Sequence, residues 1–199
     1  MPYQFNCATC RNRCDGTSLG VYRFGDDVEY SERYENQLIR EIIDFGLYAQ
    51  KTTRDGYPDI EVYDYENGPL RCFIEVKVQR RSFMMVSKLL PNSDLRPSET
   101  MVLNLSDLTR YFEIAANETV PVYILWVLSE RPCIVPNGEI RYFYQNTTVL
   151  QDIYHRYGDY RRFRRRSGQG DVVDGQHLGV VVNYHFSLQE LMPFRLEDI

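Results

Sequence analysis

The 199-residue sequence predicts an α/β protein whose core has the order α-β-β-β-α-β around a mixed sheet. Two neighbouring runs, 59–65 and 70–78, alternate and are rich in β-branched and aromatic residues, as paired strands are. Further helical and strand patterns flank this pair, at 31–45, 47–51, 106–117 and 122–128. The last of these, VYILWVL, is a continuous apolar run typical of a strand buried on both faces, and it completes the predicted order.

The composition is that of a globular protein, with 43% hydrophobic and 26% charged residues. A net charge of −5 argues against a uniformly basic nucleic-acid binder. No apolar run approaches the ~20 residues that a membrane span needs. The N-terminal residues lack the charged and apolar regions of a secretory signal, so we expect a cytoplasmic protein.

The first predicted helix carries an acid near the middle of its apolar face. Ser31 is its candidate N-cap and Gly46 its terminator. The apolar sector is formed by Leu38, Ile39, Ile42, Ile43 and Phe45. Glu35 lies near the centre of that sector, where a carboxylate is costly unless it is paired or binds a metal. The alternative is that Glu35 emerges at the edge and favours the helix dipole, with Glu32 and Glu41 as further candidates.

The two neighbouring strands are predicted to form a hairpin whose register decides whether two acids meet. One face of the second strand carries Arg71, Phe73, Glu75, Lys77 and Gln79. A two-residue turn would place Asp59 opposite Val76, on the wrong face. A three-residue loop, 66–68 with Gly68 left-handed in a bulge, places Asp59 opposite Glu75. We predict the bulged register, since only that register brings the two carboxylates together.

Pro58-Asp59, followed by Glu75-Val76-Lys77 on the adjacent strand, resembles the motif of the PD-(D/E)xK nuclease superfamily. This superfamily has the restriction-endonuclease-like fold and includes restriction enzymes, Holliday-junction resolvases and RecB-type nucleases. The predicted element order resembles its common core independently of the motif, over roughly residues 31–128. Within that range the VPVYILWVL strand looks more like uncharacterised bacterial nuclease-like domains than like a named restriction enzyme. The alternative is an ordinary hairpin with a charged outer face.

The resemblance implies metal-assisted hydrolysis of phosphodiester bonds, in DNA rather than RNA. It implies a Mg²⁺ or Mn²⁺ site formed by Asp59, Glu75, the Val76 carbonyl and Glu35. Lys77 would orient the attacking water or stabilise the transition state, and Gln79 would contact the nucleophile or the substrate. Family members that cut duplexes are often dimers, so a homodimer is compatible with this assignment. The alternatives are a nuclease fold that binds nucleic acid without turnover, and a zinc module joined to a surface-binding domain.

The chain is predicted to comprise a cysteine-containing segment 1–25, the core at 26–130, and a C-terminal elaboration 131–199 within the same domain. Residues 82–100 are predicted to form an irregular link. The elaboration is of the β-α-β type, with its strand, helix and last strand at 140–144, 147–157 and 178–186. A short helix follows from Ser187.

Two clusters outside the core carry candidate binding residues. The spacing C-x2-C-x3-C marks candidate zinc ligands, Cys7, Cys10 and Cys14. Zinc takes four ligands, so a distant residue or a partner chain would complete the set; the alternative is free thiols in a reduced compartment. The candidate nucleic-acid-binding surface comprises Arg156, Arg161, Arg162, Arg164, Arg165 and Arg166. Its alternative is a solvated face that pairs with acidic groups of the same chain. His185 is predicted to be a core or edge histidine and not a ligand.

Overall fold

The structure is a computed structural model that describes residues 24–80, 82–129, 131, 133–135, 139–164, 172–173, 176–177 and 182–199. Its helices are α1 (Phe24–Asp44), α2 (Val86–Leu89), α3 (Leu105–Asn117) and α4 (Thr147–Tyr157). Its first six strands are β1 (Tyr48–Lys51), β2 (Ile60–Tyr63), β3 (Leu70–Gln79), β4 (Thr100–Asn104), β5 (Val122–Leu128) and β6 (Arg141–Asn146). Its other strands are β7 (Arg162–Arg164), β8 (Val172–Val173), β9 (Gln176–His177), β10 (Val182–Ser187) and β11 (Met192–Pro193). The candidate zinc ligands Cys7, Cys10 and Cys14 lie outside the described residues, as do Arg165 and Arg166.

A six-stranded mixed sheet of order β1-β2-β3-β5-β6-β11 forms the centre of the molecule. Strands β1, β2 and β3 form an antiparallel meander, and β5 then pairs with β3 in parallel. A parallel neighbour requires a crossover, and the segment containing α3 supplies it. The predicted mixed α/β core, from α1 through the meander and α3 to β5, is therefore confirmed, with α2 and β4 inserted between β3 and α3.

The central sheet is covered on both faces, which divides the core into two layers. On one face α1 contributes Tyr34, Leu38 and Ile42, which pack towards the β3 residues Ile74 and Val76. The other face carries the layer of Phe73, Ile124, Trp126 and Phe143, with buried residues of α3 and α4. The predicted double burial of β5 is confirmed, because its side chains alternate between these two layers. No helix in the described part of the chain combines the length and hydropathy that a membrane span requires.

The predicted irregular link 82–100 instead leads into a strand. This strand, β4, pairs with β10, and β10 pairs with β7, so that a second, three-stranded antiparallel sheet forms. Met101 and Leu103 alternate into the core, as the inner face of a strand does. The strand runs directly into α3 at Leu105, with no turn residues between them to mark its end.

Helix α1 begins at Phe24, seven residues before the predicted start. Ser31 is therefore an interior residue, and its hydroxyl donates a hydrogen bond to Glu35 Oε1 at 3.2 Å rather than capping the helix. Gly46 ends the helix as predicted, with φ of 104°, and its N–H and that of Leu47 bond back into the last turn. Ile43 and Phe45 are 44% and 45% exposed, so they lie outside the buried stripe that the sequence assigned to them.

The hairpin of β2 and β3 has the predicted register but a different turn. Ile60 pairs with Ile74, which places Asp59 opposite Glu75. The residue with positive φ is Asn67, at 60°, and not Gly68. Gly68 is needed for space, because a Cβ there would lie 2.9 Å from the Tyr65 ring and carbonyl. The bulge lies in β3 at Arg71, where the pairing shifts by one residue.

The C-terminal part joins both sheets through β6, β10 and β11. Helix α4 has the predicted bounds, and the Asn146 side chain caps it by accepting from the Thr148 N–H at 2.9 Å. His185 on β10 is 2% exposed, and its Nδ1 lies 3.0 Å from the Arg161 carbonyl oxygen. Burial lowers the pKa of His185 to about 4, so the ring is neutral at pH 7. The prediction of a core histidine is confirmed.

Candidate active site

The site lies where β2 ends and β3 continues alone. Strand β2 starts at Ile60, opposite Ile74, whereas β3 runs on to Gln79. In the described part of the chain, β3 residues 75–79 therefore have no partner strand on that side, and we call this segment the open edge of β3. The Asp59 side chain lies at its beginning, where Oδ2 accepts a hydrogen bond from the Val76 N–H at 2.8 Å.

Asp59 and Glu75 meet on the same side of the hairpin. Burial, and then the charge of Glu75, raise the pKa of Asp59 to about 7, although the Val76 N–H lowers it. Such a shift shows that two carboxylates share a poorly solvated space without full compensation of their charge. The sequence predicted this meeting of Asp59 with Glu75, and the structure brings the two side chains together.

Lys77 supplies a cation beside the two acids. Its Nζ lies 2.5 Å from Glu75 Oε1, and the Glu75 residue is only 3% exposed. Burial alone would lower the pKa of Lys77, but the charge and hydrogen bond of Glu75 raise it above the ordinary value. The amine therefore stays protonated across the physiological range, as a fixed donor with its side chain 29% exposed.

Helix α3 adds three residues that the sequence did not assign to the site. The Tyr111 hydroxyl is hydrogen-bonded to Glu75, and burial and the Glu75 charge raise the pKa of Tyr111 far above its ordinary range. Arg110 Nη2 lies 3.2 Å from that hydroxyl and 3.3 Å from Asp107 Oδ1. Asp107 Oδ2 lies 4.0 Å from Lys77 Nζ. In the sequence Asp107 is only an acid in the first turn of a helix, and nothing local indicates that α3 packs over the acids.

Glu35 faces the same region but is held by its own partners. Its Oε2 lies 3.0 Å from Lys51 Nζ, and Ser31 donates to its Oε1. The Glu35 charge contributes to the raised pKa of Asp59, so the two carboxyl groups interact electrostatically. The further candidates lie apart, since Glu32 is exposed and Glu41 accepts a hydrogen bond from Gln37 at 2.8 Å.

The donor set suits a small, hard divalent cation. Asp59 and Glu75 offer carboxylate oxygens at a site where negative charge is crowded, which a cation would relieve. Mg²⁺ is commonly bound through one or two carboxylates, with water and substrate phosphate as its other ligands. No group of three or more acid, cysteine or histidine side chains close enough to hold a metal occurs among the described residues. Glu35 therefore does not complete a three-acid cluster in this structure.

Gln79 is committed to the second sheet. Its Nε2 donates to the Val102 carbonyl at 2.7 Å, and its Oε1 accepts from the Val102 N–H at 3.3 Å. Arg131 Nη2 also donates to Gln79 Oε1, at 3.4 Å. The structure thus places this amide between β3 and β4, where it ties the two sheets together, rather than beside the acids.

Glu61 is a buried acid that the sequence analysis did not consider. It accepts hydrogen bonds from Tyr63 at 2.6 Å and Gln50 at 3.1 Å, and Arg54 Nε lies 3.3 Å from its Oε1. Burial would raise the pKa of Glu61, but these hydrogen bonds and the Arg54 charge lower it below its ordinary value. A carboxylate that is satisfied in this way stabilises the β1–β2 pair and has no need of a metal.

The arginine cluster divides into a structural member and exposed members. Arg161 is fully buried, lies 2.7 Å from Glu190 Oε2 and 2.9 Å from Asp94 Oδ1, and stacks on Tyr157. The assignment of Arg161 to a phosphate-binding surface is therefore corrected, because its guanidinium is occupied inside the protein. Among the described arginines of the cluster, three are exposed at the surface: Arg156, Arg162 and Arg164. Arg162 pairs with Asp159.

Arg161→Ala is expected to lower the free energy of unfolding by about 2–4 kcal/mol, because it leaves the partly buried Glu190 without its cation. Arg164→Ala, an exposed member of the same cluster, is expected to stay within about 0.5 kcal/mol of wild type. Urea unfolding monitored by tryptophan fluorescence measures both values. Equal stabilities for the two variants would contradict the structural role of Arg161.

No family model matches this chain, and no curated protein matches it. Among solved structures, the chain is similar to the Holliday junction resolvase Hjc of the archaeal hyperthermophile Archaeoglobus fulgidus. The TM-score is 0.42 at 14% sequence identity, over 81% of this chain and 86% of that chain. A similarity this low carries no inference about substrate or chemistry. The comparisons also give no support to a special closeness to bacterial nuclease-like domains.

Proposed function

We propose that this protein is a metal-dependent nuclease that hydrolyses phosphodiester bonds, with DNA as its substrate. The observation that carries the proposal is the meeting of Asp59, Glu75 and Lys77 at the open edge of β3. Two crowded carboxylates beside a protonated amine are the groups that divalent-cation-assisted phosphate chemistry requires. The same three residues carry the resemblance to the PD-(D/E)xK superfamily, and DNA is preferred over RNA on that resemblance alone.

Asp59 and Glu75 are the residues that would hold Mg²⁺ or Mn²⁺, together with the Val76 carbonyl and with Glu35 directly or through water. A cation bound there would lower the pKa of a coordinated water and offset negative charge on the phosphate. Lys77 donates hydrogen bonds from a protonated amine, so it orients the attacking water or stabilises the oxygens of the transition state. Tyr111 holds the Glu75 carboxylate in place from α3.

The proposal is tested by cleavage of labelled DNA in single-stranded, duplex, nicked and branched forms, with Mg²⁺ or Mn²⁺ and with EDTA. We expect cation-dependent cleavage of at least one form by wild type and none by Glu75→Gln, which keeps the shape of the side chain but not its charge. DNA binding without cleavage under every condition would instead support a binding protein of nuclease-like fold. Light scattering of the free and DNA-bound protein tests the expected homodimer in the same samples.

Tyr111→Phe is expected to lower the cleavage rate by about tenfold, because a hydrogen bond to a buried carboxylate is lost. A loosened Glu75 should also raise the Mg²⁺ concentration that gives half-maximal cleavage, which a loss of folded protein alone would not do. Tyr160→Phe is the matched control, since Tyr160 is 62% exposed. An unchanged magnesium dependence in Tyr111→Phe would rule out this positioning role.

A further inference from the structure

A cleft of about 640 Å³ runs along the open edge of β3, and neither Asp59 nor Glu75 is among its lining residues. One wall is the N-terminal half of α1, which contributes Tyr30. The other wall is the second sheet, which contributes Val102. Lys77 and Val76 line one end of the cleft, and the same two residues contact Glu75 and Asp59. Whatever occupies the cleft therefore lies next to the proposed catalytic groups. Its volume is that of a site for a small molecule or a single nucleotide.

The charged side chains that line the cleft are basic. Its charged lining residues are Lys77, Arg80 and Arg131, and neither aspartate nor glutamate is among the described residues that line it. The Arg80 guanidinium lies 4.4 Å from the centre of the Tyr30 ring, which keeps this cation at the wall. Arg131 is 2% exposed and is fixed by donation to the main-chain carbonyls of Ser98 and Thr100. Contacts within the protein therefore hold both guanidinium groups in place.

The cleft is also lined by aromatic rings and by a buried amide whose oxygen accepts no hydrogen bond from the described residues. Phe83 stacks on His185 with ring centroids 4.9 Å apart. The Phe163 ring centroid lies 6.4 Å from that of Phe83. Asn183 lines the cleft, is 8% exposed, and has an Oδ1 without a hydrogen-bond partner among the described residues. The oxygen lies just beneath the cleft surface, and a buried acceptor without a partner is unfavourable, so an N–H group that enters from the cleft and reaches it would stabilise the complex.

We propose that this cleft binds one unpaired nucleotide of the nucleic-acid strand, next to the phosphodiester that is cut. The base would stack on the aromatic wall and donate to Asn183, and its phosphate would lie near Lys77 and Arg80 at the wall of the cleft. An inorganic anion would use neither the rings nor the amide, and an apolar ligand would leave the Asn183 oxygen unsatisfied. A base inside a duplex is stacked and paired and cannot reach a side chain as buried as Asn183.

This inference rests on the proposed function for its ligand, and it specifies the substrate as DNA with an unpaired nucleotide at the cut site. The probes are DNA hairpins that carry one unpaired deoxyadenosine at the 3′ end, at the 5′ end or as a bulge. Each hairpin is compared with one that is abasic at the same position. Binding is measured by fluorescence anisotropy in EDTA, where no cleavage occurs. We expect wild type to bind at least one of the base-bearing hairpins about tenfold more tightly than its abasic partner.

Two variants test whether the cleft is the site of this preference. Asn183→Ala and Phe83→Leu are expected to bring the ratio between base-bearing and abasic hairpins to about one, since the amide or the stacking ring is lost. Asn92→Ala is the matched control, because Asn92 is exposed and does not line the cleft, and it should keep the wild-type ratio. Asn183→Ala should also unfold at the wild-type temperature or above it, since its oxygen lacks a protein partner in the described structure.

Equal affinity of wild type for base-bearing and abasic hairpins in all three positions would overturn the inference. Retention of the preference in both Asn183→Ala and Phe83→Leu would overturn it as well. The nuclease proposal is decided separately, by cleavage with Mg²⁺ or Mn²⁺. A base preference without cleavage would leave the cleft assignment standing and the nuclease proposal refuted, and cleavage without a base preference would do the reverse.

Discussion

Lys77→Ala is expected to reduce DNA cleavage by about 10²–10³-fold, the usual cost of removing one donor that acts on a transition state. The amine is protonated and lies beside Glu75, so its loss removes a positively charged donor from the proposed site. DNA affinity should change by about twofold at most, because a single phosphate contact contributes little to the total. Single-turnover cleavage with saturating enzyme separates the chemical step from binding.

Lys88→Ala is the matched control for this experiment, since Lys88 is an exposed lysine of α2. It should cleave DNA at the wild-type rate. Circular dichroism and thermal unfolding of Lys77→Ala check the fold, because Glu75 keeps its hydrogen bond from Tyr111 when the amine is removed. A folded Lys77→Ala protein that cleaves DNA at the wild-type rate would exclude Lys77 from the mechanism.

Asp59→Asn is expected to change activity and stability in opposite directions. Cleavage should fall by about 10²–10³-fold, because a site with one carboxylate binds and orients a divalent cation poorly. Mg²⁺ or Mn²⁺ should raise the melting temperature of wild type, by an amount that corresponds to about 2.7 kcal/mol at 100 times the dissociation constant. The variant should show little of this stabilisation, and calorimetric scans with and without cation measure the difference.

The stability change without metal follows from the raised pKa of Asp59. With a folded pKa of about 7 against the ordinary 3.8, the native state binds the proton more tightly than the unfolded state does. The stability that this carboxyl contributes therefore falls as the pH rises between these two values. Above pH 7 the ionised group lowers the free energy of unfolding by about 2–4 kcal/mol. Asparagine cannot ionise, so the metal-free variant should be more stable than wild type at pH 8.

The difference between Asp59→Asn and wild type should shrink as the pH falls towards 4, where Asp59 is protonated in the folded wild type. Asp55→Asn, at an exposed aspartate of the preceding loop, should show no such pH-dependent gain. A metal-free Asp59→Asn protein that is less stable than wild type at pH 8 would contradict the electrostatic description of this site.

The sequence was informative wherever a local pattern determined the structure. Alternation placed β2 and β3, and it placed Glu75 and Lys77 on one face, because a strand has a fixed period of two; a continuous apolar run placed β5. The register of Asp59 was also predicted correctly, although for an incorrect reason. The loop was expected to contain the bulge, whereas the extra residue is Arg71 within β3.

Long-range packing could not be predicted from the sequence in the same way. Tyr111 and Asp107 join the site only because α3 lies across the face that carries Glu75. The cleft requires β4, which has no turn before α3, and the cross-strand pair of β4 with β10. Arg161 was grouped with its neighbours by composition, but its burial depends on Glu190, 29 residues away. Contacts between residues so far apart in the sequence depend on how helices and strands pack together, and no local periodicity predicts that packing.

Asp59 has one more consequence, which concerns the solubility of the protein. A strand whose N–H and C=O groups lack a neighbour is a template onto which another molecule can add a strand, and this is a route to aggregation. The Asp59 carboxylate occupies the Val76 N–H at the first such position of β3. An acid held in that place both removes a docking point and brings a negative charge to it. Aggregation during expression is therefore a property to monitor in every variant that removes this side chain.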